Sequence, residues 1–228
     1  MEFNNNDGDE INLKIIIVGQ VGVGKSTLIL SASKEKSNEQ IQSTIVPTLS
    51  EIHINVNNVI FKVTLWDTMG QDVYRDQVSL LFKGTNIAIL VYDITRQDSF
   101  DDLRNWIKII NERAEKQIIL GVLGNKKDLI MKQEVSDDKA KEYAKSINAI
   151  WGITSATVDK KGFVNYLNRL IQEYMKKFNL NNAQDFVDAG ISKRTIKISK
   201  QIVKTKKNCC GKKKRTIELG NKEIFLDN

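Results

Sequence analysis

A single proline in 228 residues, two cysteines and no apolar run of the roughly 18 residues that a membrane span needs already exclude several classes. Scarce proline beside 13 glycines argues against low-complexity disorder as the dominant state. Residues Met1 to Asn12 are rich in Asn and acid and lack an apolar stretch, so they do not read as a secretory signal. The chain is therefore expected to stay in the cytosol. Cys209 and Cys210 are adjacent and cannot cross-link distant parts of a fold. They suggest a reducing compartment and, given their basic neighbours, are candidates for lipid attachment.

Acid is also missing where base is densest. Between Lys193 and Arg215 lie 11 of the 35 Lys and Arg residues and no Asp or Glu. The other 24 basic residues face 28 acidic ones, a balance of −4, so the net charge of +7 belongs to the tail. Such a run reads as an electrostatic attachment segment. It has no aromatic residues on which bases could stack, so nucleic-acid binding is not expected. The whole chain, 41% hydrophobic and 28% charged, has the composition of one globular domain with extensions.

Strand and helix patterns alternate along that domain. Asn12 to Val18 is a buried-strand run, followed by a Gly-rich turn and a helical stretch from Lys25 to Lys36. Glu51 to Val56 and Val59 to Trp66 alternate apolar and polar residues around Asn57-Asn58, a two-residue hairpin turn. Three more buried runs follow at Asn86 to Tyr92, Ile118 to Leu123 and Ala149 to Ile153. Helices are expected over Ser99 to Glu115, Ser136 to Ser146 and Lys161 to Phe178. The first of these would be capped by Asp98, with Phe100, Leu103, Ile107 and Ile110 on one face. The pattern predicts an α/β fold with a mostly parallel six-stranded sheet, one antiparallel strand and helices on both faces. The expected division is a disordered N-terminus over 1–11, a domain over 12–178 and a flexible basic tail over 179–228.

Two motifs carry chemistry. Gly19-Gln20-Val21-Gly22-Val23-Gly24-Lys25-Ser26 fits G-x-x-x-x-G-K-[ST] between a strand and a helix. Its backbone N–H groups would converge on phosphate oxygens, Lys25 would reach the β- and γ-phosphates, and Ser26 would ligate Mg²⁺. A phosphate loop does not choose between ATP and GTP; the base contacts do. Asn125-Lys126-Lys127-Asp128 matches N-K-x-D, in which Asp128 can accept from guanine N1–H and its exocyclic amine, two donors that adenine lacks. Lys126 would lay its stem along the purine, and Asn125 would tie this loop to the phosphate loop. Thr154-Ser155-Ala156 resembles the S-A loop that meets guanine O6. Val23, Thr27 and Leu129, beside these residues, complete the expected nucleotide-binding set.

Over Leu13 to Phe178 the chain resembles the small GTPases of the Ras superfamily and is most similar to the Rab family. Trp66-Asp67-Thr68-Met69-Gly70-Gln71 resembles W-D-T-A-G-Q, with Tyr74-Arg75 following. Val91-Tyr92-Asp93-Ile94-Thr95, Ser99-Phe100 and Asn105-Trp106 follow the Rab run, and no Rho-type insertion follows Asp128. The resemblance implies a P-loop GTPase fold and a switch that binds GTP or GDP with Mg²⁺ and hydrolyses GTP slowly. It implies that Asp67 holds the metal through water, that the Gly70 N–H meets the γ-phosphate, and that Gln71 orients the attacking water. Thr44 would be the first-switch threonine on Mg²⁺, with Thr48 as the alternative. An exchange factor, a GTPase-activating protein and effectors are the implied partners. The implied location is peripheral, on the cytosolic face of an intracellular membrane, in vesicle trafficking.

Several residues depart from the family pattern. Val21 stands where a small residue is usual and would crowd Gln71 and an incoming Arg, which predicts slow hydrolysis. Val46 replaces a Gly, Ala32 and Ile41 stand where an aromatic is usual, and Met69 and Thr157 are milder changes. A nucleotide-locked scaffold with negligible turnover is the competing reading. Eighteen residues follow Cys210, so the terminal prenylation signal is absent as written. Palmitoylation beside Lys212 to Arg215, processing of the tail and an unmodified solvated tail all stay open.

Overall fold

The computed structural model describes residues 11–33, 48–68, 80–114, 117–159, 161–180, 185, 215–219 and 222–226. Strands β1 (Ile11–Val18), β2 (Thr48–Val56), β3 (Val59–Asp67), β4 (Ile87–Asp93), β5 (Ile119–Asn125) and β6 (Ile150–Ile153) form one sheet in the order β2-β3-β1-β4-β5-β6. Only β2 runs antiparallel to its neighbour. It is joined to β3 through Asn57 and Asn58, at φ 52° and 63°. Two successive positive φ values make the primed turn whose twist suits a hairpin, and Asn tolerates them.

The period of two along β1 divides the interior. Leu13, Ile15 and Ile17 join the core beneath helices α1 (Lys25–Ser33) and α5 (Gly162–Lys177), whereas Ile16 and Val18 join the opposite core. On that opposite face sit α2 (Gln97–Asp101), α3 (Leu103–Arg113) and α4 (Asp137–Ser146). Helix α5 buries Phe163, Tyr166, Leu167, Leu170, Ile171, Tyr174 and Met175, an apolar stripe at helical spacing. Helix α4 starts at the capping residue Ser136, whose hydroxyl accepts from the Lys139 N–H at 3.4 Å.

The expected Asp98 cap is corrected. The helix begins at Gln97, its capping position is Arg96, and a turn at Asp102, which keeps helical φ −66° and ψ −20°, divides α2 from α3. Asp98 lies inside α2, where its carboxylate pairs with the Arg96 guanidinium at 2.8 Å. Phe100, Leu103 and Ile110 are buried as expected, but Trp106 fills the centre of the face and Ile107 lies at its margin.

Two further strands, β7 (Arg215–Leu219) and β8 (Lys222–Leu226), pair antiparallel in the region read as a basic tail. Thr44, Val46, Met69, Gly70, Gln71, Cys209 and Cys210 lie outside the described residues.

Candidate nucleotide-binding site

Strand order decides where the functional loops meet. The chain leaves β1 toward β2 and β3 on one side and continues with β4, β5 and β6 on the other, so the order reverses at β1. The loops that follow β1, β4, β5 and β6 then share the carboxyl edge of the sheet, where open α/β sheets bind ligands. Asp67, the last residue of β3, is in register with Ile17 near the end of β1 and reaches the same edge.

The first loop runs from Gly19 to Gly24 and feeds α1. Lys25 is 6% exposed, and its ammonium donates to the carbonyls of Gly19 at 2.9 Å and Gln20 at 3.1 Å. Burial pushes its pKa down to about 8, with the Asp67 carboxylate pulling the other way. A desolvated cation on two carbonyls has much to gain from an anion. Ser26 and Thr27 are half-buried in the first turn of α1, and Val23 is fully buried. Val21 is exposed on the loop.

Asn125 joins three segments. Its amide donates to the Val23 carbonyl at 2.8 Å, and its carbonyl accepts from the Ala156 N–H at 3.1 Å. Gly24, at φ +94°, is required here on two counts, since a Cβ would lie 2.3 Å from the Asn125 Nδ2. Asp128 is exposed and accepts from the Ser155 hydroxyl, while the Ser155 oxygen accepts from the Val158 N–H at 3.2 Å. The Lys127 N–H donates to the Thr154 carbonyl at 3.1 Å, closing the β5 loop onto the β6 loop. Leu129 is exposed beside them.

Lys126 adopts the left-handed conformation at φ 66° and pairs with Asp93, Nζ to Oδ2 2.6 Å. Asp93, at the end of β4, is buried and also accepts from the Thr95 N–H and hydroxyl at 2.9 and 2.8 Å. Burial pushes the Asp93 carboxyl up, but Lys126 and Thr95 outweigh it and hold the group below its ordinary range. Asp67 is likewise buried, and the adjoining Thr68 hydroxyl donates to the Ile17 carbonyl at 2.6 Å. The buried Asp67 carboxylate and the Ser26 hydroxyl are oxygen groups of the kind that could serve a hard divalent cation. Thr48, the alternative first-switch residue, opens β2 opposite Asp67 in the ladder.

A family model described as "Ras family" matches residues 14–176, which include all these loops. This chain belongs to the Ras family. It is a small GTPase of Rab type: human Ras-related protein Rab-22A is 32% identical over 198 residues, covering 87% of this chain and 97% of the relative. Mouse Ras-related protein Rab-31 matches with the same identity and coverage. The GTP-binding protein ypt3 of Schizosaccharomyces pombe is 36% identical over 143 residues, 63% of this chain and 67% of that protein.

Two side chains of this GTPase were not singled out by its motifs. One is Asp93, noted only as part of a family run. The other is Arg96, whose guanidinium donates from Nη1 to the Val21 carbonyl at 3.1 Å and from Nη2 to the Gln20 side-chain carbonyl. Both follow from the strand order, because β4 is the neighbour of β1. The only local signal was their position just after a buried strand. Among the described residues, no helix is long and apolar enough to cross a membrane.

Proposed function

We propose that this Rab-type GTPase binds GTP or GDP with Mg²⁺ and hydrolyses GTP slowly as a molecular switch in intracellular membrane trafficking. The observation that carries the reading is Asn125, which holds the phosphate loop at Val23 and the β6 loop at Ala156 while Asp128 stands beside it on Ser155. Asp128 accepts from guanine N1–H and its amine, and the Ala156 N–H lies in the segment that would meet O6. Lys126, its ammonium fixed at Asp93, lends its stem to the purine face. Lys25 exchanges its loop carbonyls for phosphate oxygens, and the backbone N–H groups of residues 21–26 complete the cradle.

Ser26 and Asp67 would hold Mg²⁺, with Thr44 as the third ligand. The cation would neutralise charge on the β- and γ-phosphates. Gly70 and Gln71 take the γ-phosphate and the attacking water in this reading, so catalysis is positioning and charge rather than covalent chemistry. Val21 crowds that space and slows the reaction. The name of the ypt3 relative, a GTP-binding protein, supports the ligand, and those of the Rab relatives support the branch. An exchange factor, an activating protein and effectors would act on the switch segments. The basic tail with Cys209 and Cys210 would hold the protein on the cytosolic face of a membrane.

Incubation of the purified chain with labelled GTP and Mg²⁺, following bound GTP and GDP over time, tests the reading. Slow conversion of bound GTP to GDP is expected. Failure to retain either nucleotide would overturn it, and GTP retained without conversion would favour the locked scaffold, the reading that exposed Val21 keeps in view.

A further inference from the structure

We infer that Arg96 is a positioning residue of the phosphate loop, which sets the Val21–Gly22 peptide so that the Gly22 N–H faces the nucleotide phosphates. This rests on the nucleotide-binding reading above. The arginine is itself anchored. Its Nε and Nη2 donate to the two carboxylate oxygens of Asp98 at 3.3 and 2.8 Å, and its backbone N–H donates to the Asp93 carbonyl at 3.0 Å. A planar guanidinium gripped on two sides by a carboxylate has little rotational freedom left. Its remaining Nη1 donor is aimed at the Val21 carbonyl, 75 residues back along the chain, and Nη2 also meets the Gln20 side chain.

That carbonyl belongs to the peptide whose N–H is Gly22's. The peptide is trans, as are all described here, so its C=O and N–H point in opposite directions. Holding the oxygen outward on Arg96 therefore turns the Gly22 N–H inward, toward the concave side of the loop. The loop does not enforce this orientation by itself. Gly22 sits at φ +79°, and glycine accepts either sign of φ, so a flip of this peptide meets no Cβ barrier at residue 22. The arginine supplies the missing preference through a charge-assisted bond, which also polarises the N–H on the other side of the same peptide. A Cβ built on Gly22 would lie 3.6 Å from Nη1, so the guanidinium covers the outer surface of the loop without filling its interior.

The test uses the full chain loaded with fluorescent GDP and Mg²⁺, and compares Arg96→Ala with Arg96→Lys. Release of GDP should be about tenfold faster in Arg96→Ala, the scale of one lost charge-assisted bond at a partly exposed site. Arg96→Lys, with a point charge that reaches a single acceptor, should recover part of that loss. The phosphorus-31 resonance of the bound β-phosphate should move in Arg96→Ala and return toward its original position in Arg96→Lys, a signature that simple loss of stability would not give. Unchanged release and an unchanged resonance in Arg96→Ala would overturn the inference, as would faster release with an unmoved resonance. If circular dichroism shows Arg96→Ala unfolded, Asp98→Asn decides: it loosens the grip on the guanidinium, and its β-phosphate resonance must shift in the same direction or the inference fails. An original chain that retains no GDP would overturn the functional reading itself, a result distinct from an original that retains GDP as tightly as its variant.

Discussion

The guanine end and the phosphate end of the site are held by different forces. At the guanine end, neutral donors tie the loops, the Asn125 amide on Val23 and Ala156 and the Ser155 hydroxyl on Asp128, beside the closed ion pair of Lys126 with Asp93. At the phosphate end the holders are cations, Lys25 on two carbonyls and Arg96 on Val21 and Gln20. Neutral bonds of this kind are satisfied before a ligand arrives and stay satisfied afterwards, so they shape the site. Lys25, desolvated on two carbonyls, gains from an anion, whereas Arg96 carries its own counter-charge in Asp98 and positions the loop. Shape resides at one end and attraction at the other.

The comparison is broken hardest at Asn125. Asn125→Ala leaves a buried carbonyl and a backbone N–H without partners, a cost to the fold, and unties loops that must then be ordered on binding, so the affinity for GDP should fall about a hundredfold. GTP should lose the same factor, because neither contact touches the γ-phosphate. Titration with fluorescent GDP and a non-hydrolysable GTP analogue checks both; a loss confined to one nucleotide would contradict the division. Asp93→Asn should follow with about a thirtyfold loss, also equal for the two nucleotides. It removes the charge that fixes Lys126, whose side chain is a third exposed, so water recovers part of the cost.

At the phosphate end the expected effect is kinetic. Val21 is 38% exposed on the loop and makes no contribution to the core clusters. Val21→Gly should leave GDP affinity within about twofold and raise single-turnover GTP hydrolysis about tenfold, a barrier change of about 1.4 kcal/mol. Equal hydrolysis in the two proteins, with and without an activating protein, would remove Val21 from the account of slow turnover.

How much of this was legible in the sequence follows the distance over which each interaction acts. The Asn57-Asn58 hairpin and the alternation of β2 and β3 are local, and the residues concerned announce them. The phosphate loop is also local, since its glycines and Lys25 lie within eight residues. Asp98 misled although its partner is local: Arg96, two residues back, holds the carboxylate, and the helix opens one residue earlier, at Gln97. The Arg96 contact with Val21 and the Lys126 pairing with Asp93 span 75 and 33 positions. No spacing rule reaches that far; they exist because the sheet places β4 between β1 and β5.

The smallest effect tests whether a buried cation with no ligand to serve costs the fold. Lys14, on β1, donates to the carbonyls of Leu81 at 2.5 Å and Lys83 at 2.9 Å and lies over the Trp66 ring. It resembles Lys25 in being held by carbonyls, and burial likewise pushes its pKa down to about 8 from 10.5. Between those two values the unfolded chain binds more protons at this group than the folded one, so stability rises with pH across the window. Between pH 8 and 9 the gain is about 1 kcal/mol, since the unfolded lysine stays protonated while most of the folded population loses its proton. Urea unfolding of the GDP-saturated chain at both pH values measures the rise. Saturation keeps Lys25 on phosphate and out of the titration. Lys14→Met should be less stable at both pH values, because two carbonyls lose their donor, yet its stability should rise less steeply by that same amount. An equally steep rise in the variant would mean that Lys14 is as well compensated as a surface lysine, and the contrast drawn between carbonyl-held cations and neutral holders would fail at its simplest example.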